Sequence, residues 1–373
     1  MQILKRSIQL DIVFLLLFGL TTAARPESDS TLSLRGTISG EFRSNINRQP
    51  GLEKDDDVRL NLIFNAAKEW QLTSKQKIAL LYDLQHYRYG EFSNFTRYDQ
   101  TLWGQFVQSL GQKYRFTISD EFRFRYHPSS SQFNYTKNII DLNVNRKVHG
   151  SSNLIFGYQN WLKSYHNNSS LSRYISHRAS VKFNHEFSRS NLGATIEYQN
   201  HKGNLYAGST APEQPLNVIG NRLMLRLNFD KVFSLKLVTS ASYKYELDLA
   251  DDFDITDPNG NPSDEESDEF VAEDSDFGYA KHQSSLSVLF RANPKVSFLF
   301  FYLFYTKGFD YWRIVPEGPL RQDKVLFFSN KIRFMLSKRF GIDVRHIFES
   351  NRTNLNLYKY EIHSISVGLN MVP

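Results

Sequence analysis

The densest chemistry in this sequence is guanidinium. In YRFTISDEFRFRY (114–126), Arg115, Arg123 and Arg125 share one parity with Thr117, Ser119 and Glu121, while Tyr114, Phe116, Ile118, Phe122, Phe124 and Tyr126 take the other. Side chains alternate across a strand, so the segment has one charged face and one apolar face. The same phase puts Arg35, Arg43, Arg59, Arg178, Arg222, Arg226, Arg333 and Arg345 on polar faces, with Lys77, Lys163, Lys182, Lys236, Lys244 and Lys331. Acids in register are fewer: Glu41, Asp57, Asp83, Glu121, Glu186, Glu197, Glu246, Asp343 and Glu349. Forked guanidinium donors suit carboxylate and phosphate groups, so such faces turned towards enclosed water would bind and pass anions. The competing reading is that Arg and Glu pair across strands and only solvate a wet wall.

Three further groups could carry chemistry. DDFDITDPNGNPSDEESDEFVAEDSD (251–276) holds twelve Asp or Glu and no Lys or Arg. Asp252, Asp254 and Asp257 before Asn259-Gly260 have calcium-loop composition without EF-hand spacing. The segment reads either as a solvated surface loop, 250–276, or as a Ca²⁺ or Mg²⁺ site. VSFLFFYLFY (296–305) is apolar on both faces, so Leu299, Phe301, Leu303 and Tyr305 point away from the lipid-facing set. GFDYWRIVPEGPLR (308–321) follows, and an inward fold of 306–324 would set Phe301, Tyr305, Tyr311, Trp312 and Arg313 as a constriction. A greasy ligand stripe, a shifted register and a contact with another protomer are the alternatives. Catalysis has no motif: no GxSxG, HExxH or Walker pattern occurs. Chance among ten His and many Ser accounts for His86, His127, His166, His201 and His282 lying near expected loops beside Ser or Asp. No enzyme is therefore expected, with a barrel-rim hydrolase the minor alternative.

The elements that must position these groups are strands. TLSLRGTISGEFRS (31–44), VRLNLIFNA (58–66), ASVKFNHEF (179–187), LKLVTSASYKYEL (235–247) and FGIDVRHIF (340–348) all alternate with period two, and helical periodicity is absent for any useful length. About sixteen such segments, within a range of about fourteen to eighteen, each approach the ~9–11 residues that cross a bilayer at a tilt. One residue breaks the pattern. Asp120 falls between Ile118 and Phe122 on the apolar register, where a bulge, a protomer contact or a shifted register would account for it.

Composition narrows the class. Of 373 residues, 14% are aromatic, with 30 Phe and 20 Tyr, more amphipathic rings than a soluble domain usually needs. The net charge of +6 is spread without a basic run, so nucleic acid is not an expected partner. Cysteine is absent, which excludes disulfides, thiolate metal sites and a thiol nucleophile. Lys5 and Arg6, then IVFLLLFGL (12–20) and TTAAR, have the layout of a secretory signal peptide over residues 1–24. Residues 25–373 are then a single exported domain, and any membrane crossing in it is made by strands.

Connections sort by parity. Even-to-odd junctions such as SLGQK (109–113), SRSN (188–191) and ANPK (292–295) are short, whereas odd-to-even junctions such as 200–217 and 249–278 are long and polar. With an even strand count, this pattern resembles the outer-membrane β-barrel class of Gram-negative bacteria, porin-like, across the whole mature chain. The last segment, IHSISVGLNMVP (362–373), alternates Ile365, Val367, Leu369 and Met371 but stops at Pro373, where the class usually ends in an aromatic. The resemblance implies an all-β antiparallel transmembrane barrel with short periplasmic turns and long extracellular loops. Its implied partners are outer-membrane lipid, the outer-membrane assembly machinery, small solutes, further copies of the chain, and lipopolysaccharide bridged through divalent cations at the acidic loop. The function it implies is passive diffusion of small polar or anionic solutes through the outer membrane. A barrel occluded by its loops that binds a surface partner, and a polymer export barrel, are the other readings.

Overall fold

The structure, a computed structural model, describes residues 30–44, 57–91, 96–129, 134–165, 173–205, 216–250, 255–256, 278–310, 312–313, 318–355 and 359–371. The expected leader, 1–24, lies outside the described residues. The first strands are β1 (Ser30–Arg43), β2 (Asp57–Thr73), β3 (Gln76–Tyr89), β4 (Arg97–Leu110), β5 (Tyr114–Tyr126) and β6 (Tyr135–His149). Next come β7 (Ser152–Tyr165), β8 (Arg173–Phe187), β9 (Ser190–Leu205), β10 (Leu216–Ser234), β11 (Leu237–Ala250) and β12 (Ile255–Thr256). The chain finishes with β13 (Tyr279–Asn293), β14 (Val296–Phe309), β15 (Trp312–Arg313), β16 (Gln322–Met335), β17 (Phe340–Thr353) and β18 (Tyr360–Met371). The sixteen long strands form one closed antiparallel barrel in chain order, sealed where β1 pairs with β18 from Gly36↔Met371 to Arg43↔Ser364. Closure leaves no sheet edge, the condition for strands to span lipid.

Each alternating segment read from the sequence centres on one long strand, except that Leu235 and Lys236, read as the start of a strand, form the turn before β11, and Ser44 lies one residue past β1. The strands run from 12 to 19 residues, longer than a bilayer crossing requires. Alternation fades near the long-loop ends, where both faces become polar, so the sequence pattern marks only part of each strand. The connection after β14 is correspondingly shorter than the expected 306–324: residues 306–309 are in β14 and 322–324 in β16. Ala250 likewise closes β11 and does not open the acidic loop.

Burial is the reverse of a soluble globule. Ile38 pairs with Leu62 on one side and Leu369 on the other, and all three are exposed on the outer surface. Three residues along, Glu41 pairs with Arg59, and both are buried inside. Large apolar residues are exposed along the exterior of most long strands, while Lys, Arg, Asp and Glu make up much of what is buried. An apolar belt of this extent is stable only against hydrocarbon.

Connections alternate in length. One end carries seven turns such as 74–75, 150–151 and 188–189; the other carries all eight long connections, including 44–56, 206–215 and 251–278. Gly150 has φ 49°, the left-handed conformation that a two-residue hairpin turn requires. Register shifts at Gln71/Thr73, Lys147/His149, Val232/Ser234 and Arg291/Asn293 place a bulge just before four short turns. At the long-loop end β12 and β15 pair in parallel, Ile255 with Trp312 and Thr256 with Arg313. The backbone after β14 is thereby bonded to the backbone of the acidic connection.

Candidate functional site

The inner wall is the candidate site, and its two halves differ. Towards the long loops, cations are buried, paired and stacked. Arg59 Nη2 donates to Glu41 Oε2 at 2.7 Å, and its guanidinium carbon lies 4.9 Å from the Tyr87 ring and 5.6 Å from that of Tyr89. Arg125 grips Asp99 through Nε at 2.7 Å and Nη2 at 3.2 Å, while Arg97 Nε reaches the same carboxylate at 3.1 Å. Lys163 sits between the Tyr135 and Tyr165 rings, 4.4 and 4.7 Å from their centres. Cation–ring contacts of this kind are worth more once desolvated, so the stacking stabilises charges that water no longer reaches. Arg43 is buried in the same zone.

A second cluster spans three strands. Arg222 Nε lies 2.9 Å from Asp248 Oδ2, and His201 Nε2 lies 2.8 Å from the same oxygen. His201 is on β9 and Asp248 on β11, so the imidazole crosses β10 at Gly220, its register partner. A Cβ at Gly220 would stand against the ring. Gly278, with φ 60°, donates its N–H to Asp248 Oδ1 at 3.1 Å. Gln199 completes the network, donating from Nε2 to Ser176 Oγ at 2.8 Å and to Tyr174 Oη at 3.1 Å. With every partner supplied from the wall, the cluster stitches β8 to β13.

Towards the short turns the wall is open. Arg35, Arg115, Arg226 and Arg345 face inward and are exposed, as is Arg123, which pairs with Glu121 two residues along its own strand. Arg35 and Arg115 have no ion-pair partner among the described residues. Arg226 contacts Met224 Sδ at 3.8 Å. Arg345 Nε donates to Ser329 Oγ at 3.0 Å. Arg333 binds Asp343 through two nitrogens at 2.7 and 2.8 Å, and Lys331 joins the same acid at 2.6 Å. All eleven arginines singled out in the sequence therefore lie on the inner face, but Arg59, Arg123, Arg125, Arg178, Arg222 and Arg333 are held by acids.

Of the constriction residues, Phe301 packs edge-on to Phe327 with ring centres 5.9 Å apart, and Tyr305 lies under Lys281 Nζ at 4.4 Å. Tyr311 and the side chains of Trp312 and Arg313 lie outside the described residues, as do Asp252, Asp254 and Asp257. Among the described residues no group of three or more His, Asp or Glu is arranged to hold a metal.

Sequence reasoning missed Arg97, Asp99 and Asp248. Each continues the inward parity of its strand by one or two steps, and extending the alternation past the last strongly apolar residue would have found them. It placed Asp120 correctly on the outer face: neither neighbouring ladder has a register shift, and Asn138 Nδ2 donates to Asp120 Oδ1 at 2.6 Å.

A closed sixteen-strand antiparallel barrel with a lipid-compatible exterior and a charged interior defines a porin-like outer-membrane β-barrel, and this chain is one, a protein of the bacterial outer membrane. No protein-family model matches the sequence, and no curated protein matches it as a relative. Solved structures resemble it to different degrees. OccAB1 of Acinetobacter baumannii matches with a TM-score of 0.52 at 8% identity, over 92% of this chain and 96% of that one. OccK8 (OprE) of Pseudomonas aeruginosa gives 0.49 at 11% identity, over 92% and 98%. An anion-selective porin from Comamonas acidovorans gives 0.47 at 12% identity, over 92% and 100%.

Proposed function

We propose that the barrel is a diffusion channel for small polar solutes with a preference for anions. The observation that carries this reading is the set Arg35, Arg115 and Arg345. All three are inward and exposed, so water reaches them inside the barrel, and none has a carboxylate partner among the described residues. Uncompensated positive charge on a wet wall raises the local concentration of anions and lowers that of cations. The paired arginines nearer the long loops contribute less to this field, because Glu41 offsets Arg59 and Asp99 offsets part of Arg97 and Arg125.

The test is the reversal potential of single channels in a KCl gradient across a planar bilayer. The expected result is a stable conductance with chloride more permeant than potassium, and a shift towards cation preference when Arg35, Arg115 and Arg345 are all changed to Glu. An open pore that prefers potassium would contradict the anion preference.

A second reading is favoured by the crowding at the long-loop end, where Lys163, Tyr279, Ile362, His201 and Asp248 are almost wholly buried. In that reading the mouth is shut and the barrel serves as a surface-binding protein. A folded barrel that carries no current would select it.

A further inference from the structure

Inward-facing apolar residues in a charged bore need a reason, and the wall of β14, β16 and β17 has a block of them. Cross-strand register arranges it as a grid. One row is Leu299, Lys331 and Arg345; the next, towards the long loops, is Phe301, Ser329 and Ile347; the third is Leu303, Phe327 and Glu349. Neighbours along a row are about 5 Å apart, and successive rows about 7 Å. Leu299 is 37% exposed although it faces inward, and Phe301, Leu303 and Phe327 are half-buried. Apolar surface left against water costs roughly 25 cal/mol per Å², so this patch is a standing penalty that a suitable solute would relieve.

The charge beside the patch names that solute. Lys331, Arg333 and Arg345 bring three cations, and Asp343 is the one carboxylate that Lys331 and Arg333 share. Arg345 uses Nε on Ser329 Oγ, is exposed on the inner face, and pairs with no carboxylate among the described residues. Glu349, at the far corner, accepts from Tyr360 Oη at 2.7 Å. The strip is therefore cationic at its short-turn end and greasy from the next row on, about 7 Å along the strands.

We propose that this strip is a binding site for amphiphilic organic monoanions: a carboxylate on a compact aromatic or cycloaliphatic body. The carboxylate takes the forked donors of Arg345 beside Lys331, and the body lies on Phe301, Leu303 and Phe327. A sugar would fit worse, because Ser329 is the one neutral hydrogen-bonding side chain within the grid. The inference rests on the channel reading for its biological use but not for its test.

The experiment uses phenylacetate, with acetate as the control of equal charge, and two readouts. In planar bilayers, phenylacetate should reduce the chloride current in a saturating manner, half-blocking at a concentration about tenfold below that of acetate. In calorimetry on the detergent-solubilised barrel, phenylacetate should bind about tenfold more tightly than acetate. Phe301→Ser and Phe327→Ser together should weaken both phenylacetate signals about tenfold, with the β-sheet circular dichroism of the parent retained to show that the variant barrel is folded. Arg345→Gln should weaken binding without restoring affinity for uncharged phenylacetamide. Equal block by phenylacetate and acetate, or calorimetric binding indifferent to the Phe changes, would overturn the proposal. A silent wild-type barrel would overturn the channel reading alone, and calorimetry would then decide the strip.

Discussion

The imidazole of His201 reaches Asp248 across an intervening strand, Nε2 to Oδ2 at 2.8 Å, over a glycine that leaves it room. Arg222 shares that oxygen, so Asp248 holds two basic groups inside the wall. Removing the charge with Asp248→Asn takes from buried Arg222 the carboxylate that its Nε contacts and should cost about 3–5 kcal/mol of unfolding free energy. Gly220→Ala, which forces the ring aside, should cost about 1–3 kcal/mol. Urea unfolding in liposomes, followed by tryptophan fluorescence, measures both. Two variants as stable as the parent would show that the cluster is not structural.

His127 lies one residue beyond β5, outside the membrane-spanning strands. Burial, then the Arg125 and Arg97 guanidinium groups, push it down to about 3. Its unfolded value is near 6.5, so the unfolded chain takes up a proton that the folded chain refuses. Stability from this group is full above pH 6.5 and is lost progressively as the pH falls towards 3. At pH 5 the loss approaches about 2 kcal/mol. His127→Gln should remove that part of the slope between pH 7.5 and pH 5, and an unchanged slope would refute it.

The strands and the sidedness were legible because a membrane barrel must alternate: TLSLRGTISGEFRS cannot satisfy lipid and water otherwise. The ion pairs were not. Whether Arg125 meets Asp99 or Glu121 depends on cross-strand register, which is fixed by loop lengths and closure and leaves no local trace. Asp99 and Asp248 were hidden for a related reason. Outward Gln100 blurs the contrast at the start of β4, and in β11 the alternation goes on through Asp248 and outward Leu249 but runs straight into the acidic stretch from Asp251. Arg345 and Phe301 were individually visible as inward residues, but their nearness comes from the pairing of β14, β16 and β17.

Asp99 offers a direct probe of wall charge. It neutralises parts of both Arg97 and Arg125. Asp99→Asn should therefore shift the reversal potential towards greater chloride permeability, with some loss of stability. A shift towards potassium would mean that these cations do not face the permeation path.

Asp120 stands on the outer face at the middle of β5, held by Asn138. A carboxylate facing lipid is destabilising, though less so than Arg or Lys at the same depth. Asp120→Asn keeps a hydrogen-bonding partner for Asn138 and removes the charge, so it should raise unfolding free energy in liposomes by about 1–2 kcal/mol. A lower value would contradict a lipid-facing position and indicate that another protomer uses the carboxylate.

The inside-out arrangement itself is open to a single measurement, because the chain has no cysteine. Thr117 and Ile118 are adjacent on β5, one half-buried on the inner wall and the other exposed on the outer belt. Thr117→Cys and Ile118→Cys barrels in liposomes can be treated with a charged, water-soluble thiol reagent. Labelling at position 117 and protection at 118 is the predicted outcome; labelling at 118 with protection at 117 would contradict a hydrated interior wrapped in a lipid-facing surface.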